Sequence, residues 1–209
     1  MKTAGLTGGI ATGKSTVAGF FRERGAEVVC ADEAARDVVL RGKPAWTEIV
    51  AAFGREILGP DGELDREKMG RQVFSDPESR RRLEAIVHPR VFRWMDERIG
   101  EIRERNPAAV VIQDVPLLFE SGMAARLRPV LVVYAPESVQ LKRLMERDGR
   151  SEADARARID AQMSIEEKRR RADRVIDNGG SPEETRRQVA DIFEWLRDRD
   201  ESRSEGSST

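Results

Sequence analysis

The chain alternates short apolar runs with longer stretches in which apolar residues return every three or four positions. The short runs read as strands: Thr3–Thr7, Glu27–Ala31, Ala108–Gln113, Pro129–Tyr134 and Ala172–Ile176. In the fourth, Val130-Leu131-Val132-Val133 is continuously apolar, the pattern of a strand buried on both faces. The longer period predicts a helix over Gly13–Arg24, where Val17, Phe20 and Phe21 share a face. It predicts another over Glu137–Arg147, with Leu141, Leu144 and Met145 aligned, and one long charged helix over Ser151–Arg171. A last helix opens at Ser181-Pro182-Glu183-Glu184, a capping signature, and carries the stripe Val189, Ile192, Phe193 and Leu196. Residues 33 to about 105 read as mainly helical, cut at Gly42, Gly54, Gly59-Pro60-Asp61-Gly62 and Ser75-Asp76-Pro77. So long a helical block between two strands is an insertion, not a simple crossover.

Strands alternating with helices imply an α/β fold on a parallel five-stranded sheet flanked by helices. In such sheets ligands bind beyond the carboxyl ends of the strands. Three polar segments fall there: Gly8–Ser15 after the first strand, Asp32 after the second and Asp114 after the third.

Composition narrows the classes. The 209 residues suffice for one medium domain with an insertion, or for two small ones. Charged residues reach 36%, so the surface is densely charged, and most basic residues, those of the run Glu166–Arg171 among them, read as solvated helix faces. With 37 basic and 38 acidic residues the balance argues against nucleic acid as a partner. No apolar run approaches the ~20 residues of a membrane span, and no signal-peptide pattern follows Met1. The single cysteine, Cys30, excludes an internal disulfide, and the single histidine, His88, excludes a multi-histidine metal site. The expectation is a soluble, cytoplasmic protein without a membrane or nucleic-acid partner. The tail from Asp198 to Thr209 is rich in charge, then serine, and reads as disordered. Oligomeric state is not legible.

The central chemical signal is Gly8-Gly9-Ile10-Ala11-Thr12-Gly13-Lys14-Ser15, which fits G-x-x-x-x-G-K-[ST] between a strand and a helix. Glycines let the backbone wrap a polyphosphate with its N–H groups inward, and the helix N-terminus adds positive partial charge. Lys14 would reach the β- and γ-phosphates of ATP, and the Ser15 hydroxyl would hold Mg²⁺. Asp114, closing Val110-Val111-Ile112-Gln113, resembles a Walker-B carboxylate with a role at the same Mg²⁺. An Asn-Lys-x-Asp motif and a D-x-x-G switch are missing, which argues against a GTPase. Asp32 is the candidate base for an acceptor hydroxyl, on a strand expected beside the phosphate-loop strand; its competing role is to cap a helix over Glu33–Leu40. Arg143 and Arg147, at i,i+4 spacing, would share a helix face and could clamp phosphate from a lid, or be an ordinary basic face.

These motifs resemble the dephospho-CoA kinase family, from about residue 3 to 195. The resemblance is carried by Gly5-Leu6-Thr7-Gly8 through Ser15-Thr16, by Val28-Val29-Cys30-Ala31-Asp32, and by Leu64-Asp65-Arg66, Val73-Phe74 and Leu83-Glu84-Ala85-Ile86-Val87-His88-Pro89. Asp114-Val115-Pro116-Leu117-Leu118-Phe119-Glu120, Gln162 to Lys168, and Ala172-Asp173-Arg174-Val175-Ile176-Asp177-Asn178-Gly179 complete it. Cys30 stands where the family usually has the first Asp of Asp-Ala-Asp. The resemblance implies transfer of the γ-phosphate of ATP to the ribose 3′-hydroxyl of dephospho-CoA. It also implies a core of residues 1–32, 106–142 and 171–197, a helical acceptor-side domain over 33–105, and a lid over 143–170. It places Arg66, His88 and Phe119 near the acceptor and Asn178 and Gly179 near the adenine. Two other readings stay open: a kinase of another small molecule or of a nucleoside monophosphate, and a non-enzymatic nucleotide-binding module.

Overall fold

The computed structural model describes residues 1–74 and 76–199. Its strands are β1 (Lys2–Gly8), β2 (Glu27–Cys30), β3 (Val110–Asp114), β4 (Val130–Tyr134) and β5 (Arg174–Asp177), arranged in one sheet in the order β2-β3-β1-β4-β5. β1 pairs in parallel with β3 and β4, and β4 in parallel with β5. The second strand is therefore not beside the phosphate-loop strand, as the sequence suggested; β3 lies between them. Burial accounts for the order. All five residues of β3 are buried, so it takes an interior position, whereas β2 is short and mostly half-buried, as an edge strand is.

The chain divides into two compact units, Met1–Val29 with the chain from Ile102 onward, and Cys30–Glu101. The first holds the sheet. Helices α1 (Lys14–Glu23) and α9 (Pro182–Asp198) pack with β1, β3, β4 and β5 around Leu6, Phe21, Ile112, Leu131, Val133, Ile176, Val189 and Leu196. α9 opens with the predicted capping box of Ser181 and Glu184. It runs to Asp198, so that residue is helical rather than part of a tail; the rest of the predicted tail, from residue 200, lies outside the described residues.

The second unit comprises α2 (Ala31–Asp37), α3 (Pro44–Phe53), α4 (Arg66–Phe74) and most of α5 (Pro77–Arg105), with Ala45, Ile49, Phe53, Ile57 and Met69 as its core. α5 passes through His88-Pro89 without a break. No helix among the described residues is long and apolar enough to cross a membrane.

After β4 come α6 (Glu137–Asp148), α7 (Glu152–Asp160) and α8 (Ile165–Arg171). The expected single helix over Ser151–Arg171 is thus two. The break has a local cause: Ser164 accepts a hydrogen bond from the Glu167 N–H at 3.2 Å and starts a new helix. Ser164-Ile165-Glu166-Glu167 is the S-x-x-E pattern of such a start.

Candidate active site

β1 ends at Gly8 and α1 begins at Lys14, leaving a loop whose shape its glycines permit. Gly13 has φ 85°, and a Cβ there would collide with Asn178 Nδ2. A Cβ on Gly8 would meet Thr12 Oγ1 at 2.6 Å and Val133 O at 2.8 Å, and one on Gly9 would meet Gln140 Oε1 at 2.6 Å. Ala11 takes φ 58°, a left-handed conformation rare for a residue with a side chain. The loop curls on itself through Thr12, whose Oγ1 donates to Gly9 O at 2.9 Å. α1 carries no acidic residue in its first turn, so its N-terminal N–H groups keep their positive field toward the loop. A loop of this shape at a helix N-terminus is the kind of backbone that cradles an anion.

Side chains from distant parts of the chain hold it. Lys14 Nζ forms an ion pair with the Asp114 carboxylate at the end of β3, with side-chain exposures of 17% and 8%. Asn178 Nδ2 donates to Thr12 O at 2.7 Å, and its Oδ1 accepts from Thr185 Oγ1 at 3.0 Å. Arg143 Nη2 donates to Asn178 O at 2.9 Å. Gly179 N donates to Asp177 Oδ1 at 2.8 Å, closing the turn after β5. Ser15 and Thr16 are exposed in the first turn of α1.

Arg143 and Arg147, paired by their spacing, have different partners. Arg147 is exposed and donates through Nε to Asp148 Oδ1 at 2.7 Å. That contact raises the Arg147 pKa and holds Asp148 below the usual carboxylate range.

Three residues that the resemblance named only as ends of its motifs, with no site role, meet the loop directly or through one another. Gln162 Oε1 accepts the Ile10 N–H at 2.9 Å. Lys168, expected on a solvated face, is fully buried; its Nζ donates to Gly8 O at 3.3 Å and pairs with Glu120 Oε1 at 2.8 Å. Glu120 Oε1 also accepts from Met163 N at 3.1 Å. The available signals were the motif ends themselves, Glu120, Gln162 and Lys168, and the S-x-x-E helix start at Ser164.

In the second unit, Asp32 is exposed in the first turn of α2. The cap position belongs to Cys30, which makes no side-chain cap bond, so Asp32 is not the cap. Asp32 and Arg66 line one cavity of about 890 Å³, with Val39, Leu40, Ile49 and Met69 among its walls. Asp65 fixes the start of α4 beside Arg66 by accepting from Glu67 N and Lys68 N, both at 3.0 Å; the Lys68 N–H foremost holds its carboxyl below the usual range. His88 is not among the residues lining that cavity. It is half-buried in α5, its ring centroid 6.1 Å from that of Phe92. Phe119 belongs to the first unit, half-buried in the segment after β3 and next to Glu120.

The family model described as dephospho-CoA kinase matches residues 2–184, spanning both units. The chain belongs to the dephospho-CoA kinase family. It is 53% identical over 194 residues to the dephospho-CoA kinase of Geobacillus kaustophilus, covering 92% of this chain and 96% of that one. Among solved structures it resembles TT1252 of Thermus thermophilus, with TM-score 0.81, 39% identity, and 93% and 97% of the two chains covered. The dephospho-CoA kinase of Campylobacter jejuni follows with TM-score 0.70, 30% identity, and 93% and 96% covered. With its family, the chain is an ATP-dependent kinase of the α/β P-loop class.

Proposed function

We propose that the chain transfers the γ-phosphoryl group of ATP to the ribose 3′-hydroxyl of dephospho-CoA, giving CoA and ADP, and that it does so in the cytoplasm, where ATP is made and spent. The observation that carries this reading is the curled Gly8–Ser15 loop at the N-terminus of α1, with Lys14 set in it, in a chain of this family. Lys14 follows the charge of the β- and γ-phosphates into the transition state, and Arg143, anchored beside Thr12, adds a second cation. Asp32 orients the 3′-hydroxyl and accepts its proton as that oxygen bonds to phosphorus and the bond to the ADP oxygen breaks. The unit Cys30–Glu101 takes the acceptor in the cavity shared by Asp32 and Arg66, with His88 and Phe119 as further acceptor-side contacts, and residues 143–170 serve as the lid. Asn178 and Gly179 border the adenine through their backbone, since the Asn178 amide is engaged on Thr12.

The donors present suit Mg²⁺. No group of three or more His, Cys, Asp or Glu that could cage a metal occurs among the described residues. A nucleotide-bound Mg²⁺ needs no such cage, because it takes one or two protein oxygens and completes its shell with phosphates and water. Ser15 and Asp114 would supply those oxygens. When bound, Mg²⁺ neutralises charge on the β- and γ-phosphates.

ATP consumption with and without dephospho-CoA tests the reading. ADP and CoA should form in equal amounts, and only with both substrates present. Turnover of a nucleoside monophosphate or small alcohol in place of dephospho-CoA would overturn the acceptor. ATP binding without turnover of any acceptor would overturn the reaction.

A further inference from the structure

The break between α7 and α8 is packed onto the phosphate loop by groups that the phosphate chemistry does not require. Gln162 takes up the Ile10 N–H, and Lys168 reaches the Gly8 carbonyl at the point where β1 turns into the loop. Lys168 is fully buried, and its countercharge is Glu120, whose side chain is 24% exposed. The same Glu120 oxygen receives the Met163 N–H. Contacts therefore run as a closed circuit from Ile10 through Gln162, Met163, Glu120 and Lys168 to Gly8.

A buried ammonium is a costly way to dock a helix. An ion pair in such a place is often matched or bettered by apolar residues of the same size. What an apolar residue cannot do is hold a backbone carbonyl and a carboxylate on another loop at fixed distances. Gly8 offers no other handle there: a Cβ would collide with Thr12 Oγ1 and Val133 O, so that backbone is held by its own polar atoms.

Resting on the phosphotransfer reading above, we propose that Lys168 is a positioning residue of the reaction. Its ammonium ties the first carbonyl of the donor loop to the loop after β3, which carries Phe119 and Glu120, and keeps the two in one register. Lys168 touches no reacting atom in this role. The residues that the phosphotransfer reading gives to the nucleotide, Lys14, Asn178 and Arg143, are anchored through other partners, Asp114, Thr12 and the Asn178 carbonyl. Losing Lys168 therefore spares ATP affinity and lowers turnover, because small misalignments of donor and acceptor cost rate steeply.

The test compares the full-length wild type with Lys168→Met and with the double variant Lys168→Met/Glu120→Gln. The double variant removes both charges while keeping an acceptor for Met163 N, and it carries the test if the single variant does not fold. The double variant should melt within a few degrees of wild type, with KM for ATP within about threefold and kcat down at least about tenfold. Wild-type kcat in a well-folded double variant would overturn the role, showing the pair to be packing only. A double variant that melts far below wild type would overturn it too, showing the pair to be structural. Wild-type enzyme inactive on dephospho-CoA would instead overturn the reaction itself, and this role with it.

Discussion

The phosphate loop and the cavity of the Cys30–Glu101 unit are built by opposite means. Around the loop the contacts are polar, directional and drawn from remote parts of the chain: Lys14 with Asp114, Thr12 O with Asn178, Gly8 O with Lys168. Around the cavity the walls are mostly aliphatic, and of the charged residues that line it Asp32, Arg36 and Arg66 are exposed and Glu63 is half-buried. The difference follows from what each must do. A transferring phosphoryl group carries charge whose position is known in advance, so donors aimed before it arrives stabilise it most. A cavity contributes area and shape, and needs only a few polar groups to orient what enters. Substitutions should therefore divide the regions: around the loop any fixed donor matters, whereas at the cavity a single polar group carries the chemistry.

The sharpest test of that division pairs Lys14→Ala with Asp32→Asn. Lys14→Ala should lower turnover by about 10²–10³-fold or more, with the fold retained. Asp32→Asn should lower it by about 10²–10⁴-fold. Because Asp32 is exposed and does not cap α2, the asparagine variant should keep the melting temperature and ATP affinity of wild type. Turnover assays and thermal melts on both would decide. Asp32→Asn within a few-fold of wild type would remove Asp32 as base and leave Glu63 as the other carboxylate lining the cavity.

The same contrast explains what sequence could show. The loop was legible because its backbone conformation demands specific residues: glycine at positions 8, 9 and 13, where a Cβ would collide, and Lys-Ser opening α1. Strands buried on both faces were legible as apolar runs. The order of strands was not, since alternation of strand and helix is the same whether β2 or β3 lies beside β1. Lys168 was hidden for a related reason. Its neighbours Glu166, Glu167, Arg169, Arg170 and Arg171 pair with one another at the surface, Glu167 half-buried among them, and nothing in the composition of that run marks the one residue that turns inward. Arg143 and Arg147 look alike in sequence, and only the partners that fold against them tell them apart.

That last pair gives a smaller test. Arg143 is held against the loop by Asn178 O, whereas Arg147 is spent on Asp148 at the surface. Arg143→Ala should lower kcat by about 10²-fold. Arg147→Ala should change kcat and stability little, within the roughly ±0.5 kcal/mol spread of surface substitutions. Equal losses in steady-state assays of the two variants would mean that both arginines act on phosphate, and that the observed ion pair with Asp148 opens during turnover.

The smallest effect lies on the outer side of α8, opposite in character to Lys168. Tyr134, the only tyrosine of the chain, donates its hydroxyl to Glu166 Oε1 at 2.8 Å. That hydrogen bond, with desolvation and the negative charge of Glu166, raises the phenol pKa; Arg169, over the ring at 4.7 Å, opposes it in part. A group whose pKa is raised on folding favours the folded state below its unfolded pKa, and that contribution is lost as pH rises through the folded value. Stability from this contact is thus complete at neutral pH and declines only in alkali. The ultraviolet titration of the protein should show one phenol ionising above the value of free tyrosine, and Glu166→Ala should bring the midpoint down without changing kcat. A native midpoint at the free value would show that Glu166 does not hold Tyr134. A loss of turnover in Glu166→Ala would show that the outer side of α8 serves the reaction as its buried side does, and the contrast between a polar, functional interior and an indifferent surface would fail at that helix.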